Sequence, residues 1–198
     1  MKKVFSLAFA ALAVVFMSSF IIHEEMYKFD TNASSVSWKG YKVTGSHEGK
    51  VGVKAGELRF GHGGVLAGAS VEIDMNNMTC TDLDAKTGGS LVGHLKADDF
   101  FGTAKFPTAK LVTTKVAAQD AKGNYKVTGN LTIKDVTKEV KFFVSVSDKD
   151  GAKAATGKVT IDRSDFNIKY GSGSFFDGLG DKTIYDEFDM TFNIVAKK

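Results

Sequence analysis

The chain has 198 residues, a sequence pI near 8.8 and a formal net charge of +3. Two of its 26 Lys and Arg residues are Lys2 and Lys3, and the other 24 nearly balance the 23 Asp and Glu residues. Because nucleic acids and anionic membranes bind clustered basic charge, this balance argues against both as partners. The 21 glycines indicate a chain that turns and bends often.

The N-terminal segment has the layout of a secretory signal. Met1 to Lys3 is basic, and the run from Val4 to Ile22 is apolar and uncharged. We therefore predict a signal peptide at 1–22 and a periplasmic or secreted protein. The run is also close to the roughly 18 to 20 residues that span a bilayer, which leaves an uncleaved anchor and membrane proximity open.

The remaining residues, 23–198, are enough for one domain with a real core and too few for two. Cys80 is the only cysteine, so no internal disulfide forms. We interpret Cys80 as a half-buried or incidental thiol, and it leaves a homodimer open.

Apolar and polar residues alternate along most of the chain, which is typical of half-buried strands joined by hairpins. Eight strands are expected, and a sheet of that size closes into a barrel and removes its edges. The predicted strands are Val36–Val43, Lys50–Phe60, Val71–Met75, Lys110–Ala117, Tyr125–Ile133, Val140–Val146, Ala152–Asp162 and Phe188–Ile194.

Two segments depart from this pattern. The glycine-flanked stretch Gly45–Gly49 predicts a bend between two strands, with His47 and Glu48 near the rim of the barrel. Residues 81–101 have the spacing of a helix or two short turns, so we expect a helical excursion that crosses or caps one end of the barrel.

Several blocks of the sequence resemble the YceI-like family, in the family's order and over nearly the whole exported chain. The blocks are Trp38–Gly40, Gly45–Gly49, His94-Leu95 followed by Asp98–Phe101 and Pro107, Val127–Val140, and Ile161–Ile168. This resemblance implies a mainly β protein with a single lipocalin-like, eight-stranded antiparallel β-barrel at 23–198. It also implies a long-chain polyisoprenoid or fatty lipid in the lumen.

The sequence departs from the family pattern at Asn167, at residues 79–90 and in the apolar tail Phe175–Gly180. These departures concern the mouth of the pocket, so they leave the identity of the ligand open. The fold is less affected.

We predict that the inward side chains form an apolar, ligand-binding tunnel, although the same alternation fits an ordinary dry core. His47 and His94 are added as contacts for a polar ligand head at the rim. The predicted lining residues are Trp38, Leu58, Phe60, Val71, Ile73, Leu131, Ile133, Phe142, Val144, Phe188, Met190 and Phe192.

Sequence motifs for catalysis or metal binding are weak. His47 and Glu48 lack the second histidine of a zinc-binding helix, and Arg163 with Asp165 is interpreted as a structural ion pair on one strand face. We expect no catalytic residue, no metal and no cofactor.

Two other functions stay open. One is an enzyme or redox accessory protein that acts on a quinone-like substrate in the barrel, with His47, His94 and Asp98 as the acting groups. The other is a plain interaction module with a filled core, kept in the membrane by Val4–Ile22.

Overall fold

The computed structural model describes residues 24–198, so the predicted signal segment 1–22 lies outside the described residues. Within them, nine strand segments, one α-helix (α1, Ala85–Lys96) and three short 3-10 helices follow one another. The 3-10 helices are His62–Gly64, Arg163–Phe166 and Gly180–Lys182. The strands are β1 (Glu25–Phe29), β2 (Ser35–Lys42), β3 (Gly45–Phe60), β4 (Leu66–Cys80), β5 (Thr108–Ala118), β6 (Asn124–Ile133), β7 (Val136–Lys149), β8 (Ala152–Asp162) and β9 (Ile184–Lys197).

The strands form one closed antiparallel barrel. From β2 to β9 each strand pairs with the next, and β9 returns to pair with β2. β1 and β2 both lie between β3 and β9, so they are two pieces of one interrupted strand. The nine segments thus fill eight positions around the barrel, and the predicted eight-stranded, lipocalin-like fold is confirmed.

The interruption between β1 and β2 is a turn built on Asp30. Its carboxylate accepts the backbone N–H groups of Asn32 at 3.2 Å and Ala33 at 3.1 Å. An aspartate that binds the backbone a few residues ahead fixes a turn. Its other oxygen accepts from Lys197 Nζ at 2.7 Å, which ties the turn to the end of β9.

The predicted hairpins are present, with tight turns of the expected chemistry. Lys134 and Asp135 have φ of 50° and 59°, and Asp150 and Gly151 have φ of 50° and 79°. Two consecutive positive φ angles are the mark of the type I′ turn, whose twist matches that of the flanking strands.

The predicted bend at Gly45–Gly49 is wrong. The chain turns at Val43 and Thr44, and His47 and Glu48 already lie in β3, opposite residues of β2. Gly49 is a strand residue that must lack a side chain. A Cβ there would lie 1.8 Å from the carbonyl oxygen of Thr79 and 2.7 Å from the Trp38 ring.

The helical excursion near 81–101 is confirmed as α1. Asp84 caps it by accepting from the backbone N–H groups of Lys86 and Thr87 at 2.9 and 3.1 Å, which satisfies two otherwise unpaired donors. A series of turns follows up to Phe106. Among residues 24–198, no helix combines the length and apolar character required to cross a membrane.

The long connections all lie at one end of the barrel. That end, here the helix end, carries α1 and the loop 163–183, as well as the turns after β2 and β6. The opposite end, here the turn end, carries the short connections after β3, β5 and β7. Phe100, Phe166 and Ile168 are buried at the helix end, so bulky side chains lie across that end of the lumen.

Asp189 of β9 joins three strands where the barrel closes. Its carboxylate accepts hydrogen bonds from Tyr41 of β2 at 2.6 Å and from Thr160 of β8 at 2.7 Å, and it pairs with Lys158 of β8 at 2.8 Å. The hydrogen bond from Lys158 lowers the pKa of Asp189 the most. Together with the hydrogen bonds from Tyr41 and Thr160, it brings that pKa to about 2.

We expect Asp189→Asn to change how stability depends on pH. Because the folded pKa lies below the unfolded value, ionised Asp189 stabilises the fold above about pH 4, and this contribution is lost as pH falls through about 2. The variant should lose about 2 kcal/mol at neutral pH, and the difference should vanish at about pH 2. Urea unfolding measures both. Asp177→Asn, in an exposed loop, is the control and should match the wild type at each pH.

Candidate functional site

The lumen contains a cavity of about 140 Å³. Every strand from β2 to β9 contributes to its wall, because inward side chains of a closed barrel converge on one axis. The predicted residues in this wall are Leu58, Val71, Ile73, Leu131, Phe142, Val144, Met190 and Phe192.

The wall also includes residues that the sequence analysis did not select. Val127 could have been found, since it shares its strand face with Leu131. Ala69, Ala109 and Ala155 line the cavity as well, and their small side chains give little hydrophobic signal in a sequence. They matter because the space exists where these side chains are short.

The cavity wall is almost entirely apolar. Its polar members are Lys110 and Thr113 of β5. The Lys110 ammonium lies 3.5 Å from Glu72, and its side chain is 57% exposed on the outside of the barrel. The Thr113 hydroxyl accepts from the backbone of Ala69 at 2.8 Å. A molecule in the cavity is therefore held by desolvation and dispersion.

The cavity is small for a ligand site. Pockets for small molecules span about 300–1,000 Å³, whereas a cavity of about 150 Å³ holds a benzene ring. The volume here, about 140 Å³, thus takes a ring or a short stretch of chain. A longer chain requires side chains such as Met190 to change rotamer.

Phe192 shows why the volume is limited. Its ring lies over Gly157, where a Cβ would come within 2.5 Å of the ring, and it packs edge to face on Phe142 at 5.9 Å. The missing side chain at Gly157 therefore makes room for Phe192 and adds no space for a ligand.

The other predicted apolar residues lie outside the cavity wall. Phe60 is buried at the turn end against Tyr27, with ring centroids 5.4 Å apart. At the helix end, Phe188 contacts Phe101 at 6.3 Å. The Trp38 indole donates to the Thr79 carbonyl at 3.1 Å.

Ile133, the last residue of β6, is also buried at the helix end. The structure therefore brings part of the predicted set together around the cavity, and it places the rest at the two ends of the barrel.

His47 contacts the loop before α1. Its Nδ1 lies 3.0 Å from Asp82, which also accepts from Cys80 Sγ and from the backbone of Glu48, each at 3.1 Å. Burial opposes ionisation of Asp82, but these hydrogen bonds outweigh it and hold its pKa well below the usual value. This cluster joins β3 to the loop.

The Cys80 thiol belongs to the same cluster. Burial, and then the neighbouring Asp82, raise the pKa of Cys80. Since the thiolate is the reactive form of cysteine, this environment makes Cys80 a poor nucleophile.

His94 and Asp98 have separate partners. The His94 ring packs on Tyr170 at 4.4 Å and on Phe100 at 5.8 Å, and its buried Nε2 makes no hydrogen bond. Asp98 accepts from Lys105 at 2.6 Å. Neither residue lines the lumen, and no group of His, Cys, Asp or Glu within 24–198 is arranged to hold a metal ion.

Arg163 is the most buried charged side chain at the helix end, with 2% exposure. Its guanidinium donates to four carbonyl oxygens at 2.8–3.2 Å, two in the loop 163–183 and two at the start of β9. It also lies over the Phe100 ring at 5.5 Å. One side chain thus attaches the loop to the barrel.

The predicted ion pair between Arg163 and Asp165 is wrong. Arg163 begins a 3-10 helix, so the two side chains do not share a strand face. Arg163 Nη2 instead lies 3.1 Å from Asp186, and Asp165 lies 3.5 Å from Lys138. Burial lowers the pKa of Arg163, and Asp186 opposes that effect.

A second cavity, about 550 Å³, lies on the outer surface of the helix end. Tyr170, Phe176 and Leu179 give it an apolar side, and Asp98, Asp99 and three lysines give it a charged side. It is separate from the lumen, since the two cavities share no residue.

The fold and lumen define a closed, up-and-down barrel with an apolar cavity in its lumen. The sequence matches the YceI-like domain over residues 27–196. The chain therefore belongs to the YceI-like family, and the resemblance read from its motifs is confirmed.

The chain is similar in sequence to UPF0312 proteins. A UPF0312 protein of Shewanella denitrificans is 36% identical over 106 residues, which are 54% of this chain and 51% of that protein. One from Staphylococcus aureus is 38% identical over 85 residues, or 39% of this chain and 46% of that protein. The chain thus spans about half the length of the relatives it matches by sequence.

Solved structures share the fold. BcnA of Burkholderia cenocepacia superposes with a TM-score of 0.68 and 26% identity, covering 85% of this chain and 99% of that one. A polyisoprenoid binding domain from Saccharophagus degradans, implicated in plant cell wall breakdown, has a TM-score of 0.59 and 17% identity, covering 86% of this chain and 97% of that one.

We expect Asp186→Ala to destabilise the protein by about 3–5 kcal/mol, because it leaves the buried Arg163 charge without its counterion. Urea unfolding should show a lower midpoint with an unchanged slope. The control Asp165→Ala removes an exposed partner and should cost at most about 1 kcal/mol. Equal effects of the two substitutions would contradict this account of the helix end.

Proposed function

We propose that this protein is a non-catalytic binding protein that holds one long apolar chain, a polyisoprenoid or fatty lipid, in the lumen of its barrel. The observation that carries the proposal is the almost entirely apolar cavity in the lumen, bounded by Leu58, Leu131 and Phe142. The N-terminal run Val4–Ile22 supports export to the periplasm or the exterior. The protein would then carry or store its ligand outside the cytoplasm.

Desolvation alone gives useful affinity. Each buried methylene contributes about 0.8 kcal/mol, so ten carbons give about 8 kcal/mol before the costs of association. Micromolar binding requires about 8 kcal/mol net. Affinity in this range therefore needs a chain longer than the resting cavity of about 140 Å³ admits, and it needs the lumen to widen around that chain.

One of the solved structures that share the fold is consistent with this ligand class. The Saccharophagus degradans domain is described as polyisoprenoid binding, and its 17% identity supports a shared fold only. Apolar contacts discriminate weakly between chains of similar length, so we propose a class of ligands.

A catalytic role on a quinone-like substrate has less support. Catalysis requires a titratable group that faces the lumen. Within the part of the chain that the structure describes, Lys110 is the one titratable residue in the cavity wall. Its ammonium points outward to Glu72. His47, His94 and Asp98 contact protein groups away from the cavity.

We expect Ala155→Leu to abolish binding of decanol. Ala155 is 3% exposed on the lumen face of β8, so three added carbons fill much of the cavity that the ligand chain must occupy. Titration calorimetry should show at least a tenfold loss of affinity, and the folded barrel should survive because the cavity accepts the added volume.

Ala154→Leu is the matched control, since Ala154 is the adjacent residue of β8 and its side chain lies on the other face. It should bind decanol like the wild type. If the wild type binds neither decanol nor a longer isoprenoid alcohol, the proposed function is wrong.

A further inference from the structure

The barrel wall is incompletely paired between β4 and β5. The hydrogen-bonded register joins Ser70–Asp74 to Thr108–Val112 and then stops. Residues 66–69 of β4 and 113–118 of β5 continue toward the turn end without pairing with each other, although each remains paired with its other neighbour. We call this unpaired stretch the β4–β5 seam.

In place of a ladder, one side-chain hydrogen bond joins β4 to β5 along the seam, and a second passes from β4 to Tyr125 of β6. The backbone N–H of Ala69 donates to Thr113 Oγ1 at 2.8 Å, and that of Leu66 donates to the Tyr125 hydroxyl at 3.3 Å. The Thr113 side chain can rotate about χ1 without moving a strand, whereas a ladder bond breaks only when the backbone moves. The seam is therefore the part of the wall that opens with least disruption.

The cavity lies directly behind the seam. Leu66 and Ala69 from β4 and Leu111 and Thr113 from β5 all line it. On the outer surface, Val112, the last residue of β5 that pairs with β4, is 50% exposed. Apolar residues thus border the seam on both sides of the wall, along the path that a ligand would take to the lumen.

Arg59 lies at the outer lip of this path. It is opposite Gly68 in the β3–β4 register, and a Cβ on Gly68 would lie 2.6 Å from Arg59 Nη2 and 3.1 Å from Thr113 Oγ1. The missing side chain lets the guanidinium lie across β4 and reach the seam. A glycine at position 68 therefore positions a cation beside the path.

The Arg59 guanidinium has donors to spare. Its nearest carboxylates, Glu24 and Glu57, are 3.7 and 3.8 Å away, beyond hydrogen-bond distance, and its buried Nε has no hydrogen-bond partner. A guanidinium presents a planar fork of donors that fits a carboxylate with two parallel bonds.

We propose that the ligand enters the lumen through the β4–β5 seam and that it is an acid-headed chain whose carboxylate binds Arg59 at the outer lip. This inference rests on the proposed function, since it assumes an apolar chain in the lumen. It adds the route and the chemical class of the head group.

The head-group part is tested with decanoic acid and decanol, which share a chain and differ in charge. By titration calorimetry, Arg59→Gln should weaken binding of decanoic acid about tenfold and leave decanol binding unchanged. Lys141→Gln removes one exposed positive charge from β7 and is the control for a general charge effect. Equal loss in the two variants, or equal loss for acid and alcohol, would overturn the assignment of Arg59.

The route is tested with Tyr125→Phe, which removes the hydrogen bond that ties Leu66 of β4 to β6 past the seam and keeps the ring. Stopped-flow binding of decanol should show a severalfold faster association. Tyr41→Phe is the matched control, because it removes a tyrosine hydrogen bond from the helix end and should leave the association rate unchanged. An unchanged rate in Tyr125→Phe, or the same increase in both variants, would contradict the route.

The outcomes separate the two proposals. If decanol binds and Arg59→Gln treats acid and alcohol alike, the head-group inference fails while the lumen function stands. If the wild-type protein binds neither of these probes and no longer isoprenoid alcohol, both proposals fail.

Discussion

The pairing of β2 with β9 is the constraint on which the rest of the structure depends. It converts a meander of strands into a closed surface, and closure decides that one face of every strand looks into the lumen. Asp189 reinforces that junction through bonds to both neighbouring strands. Without closure, the apolar faces would be one side of an open sheet with exposed edges, and the cavity would not exist.

The charged groups of the barrel are arranged around the lumen and leave its interior apolar. Arg163 is buried, but its donors all face the loop 163–183 and the start of β9 at the helix end. Arg59 and Lys110 lie on the outside. This separation suits a site that selects its ligands in two ways. The lumen selects an apolar chain by desolvation, and the charged residues outside the lumen select the head group by its charge. The resting cavity is small, because Phe192 occupies the space over Gly157.

Much of the fold was predictable from the sequence, because alternation reports the local strand and its face directly. The eight strand positions, the hairpins and α1 all follow from residues near one another in the chain. Arg163 was assigned the wrong partner because Asp186 is brought to it by the loop, which no local pattern records. The bend at Gly49 was predicted wrongly for a similar reason. Gly49 must lack a side chain because Thr79 of β4 and Trp38 of β2 lie against it, and these residues belong to two other strands. The β4–β5 seam likewise depends on the position at which β4 and β5 separate. The amino-acid composition of neither strand predicts that position.

The most direct test of the account is a native mass spectrum of the protein purified from its own host. The account predicts a folded species carrying one additional mass that corresponds to a single long-chain lipid, released on unfolding and extractable into organic solvent. A spectrum that shows only the mass of the polypeptide, and that stays unchanged after incubation with isoprenoid and fatty lipids, would contradict a lumen built to hold an apolar chain.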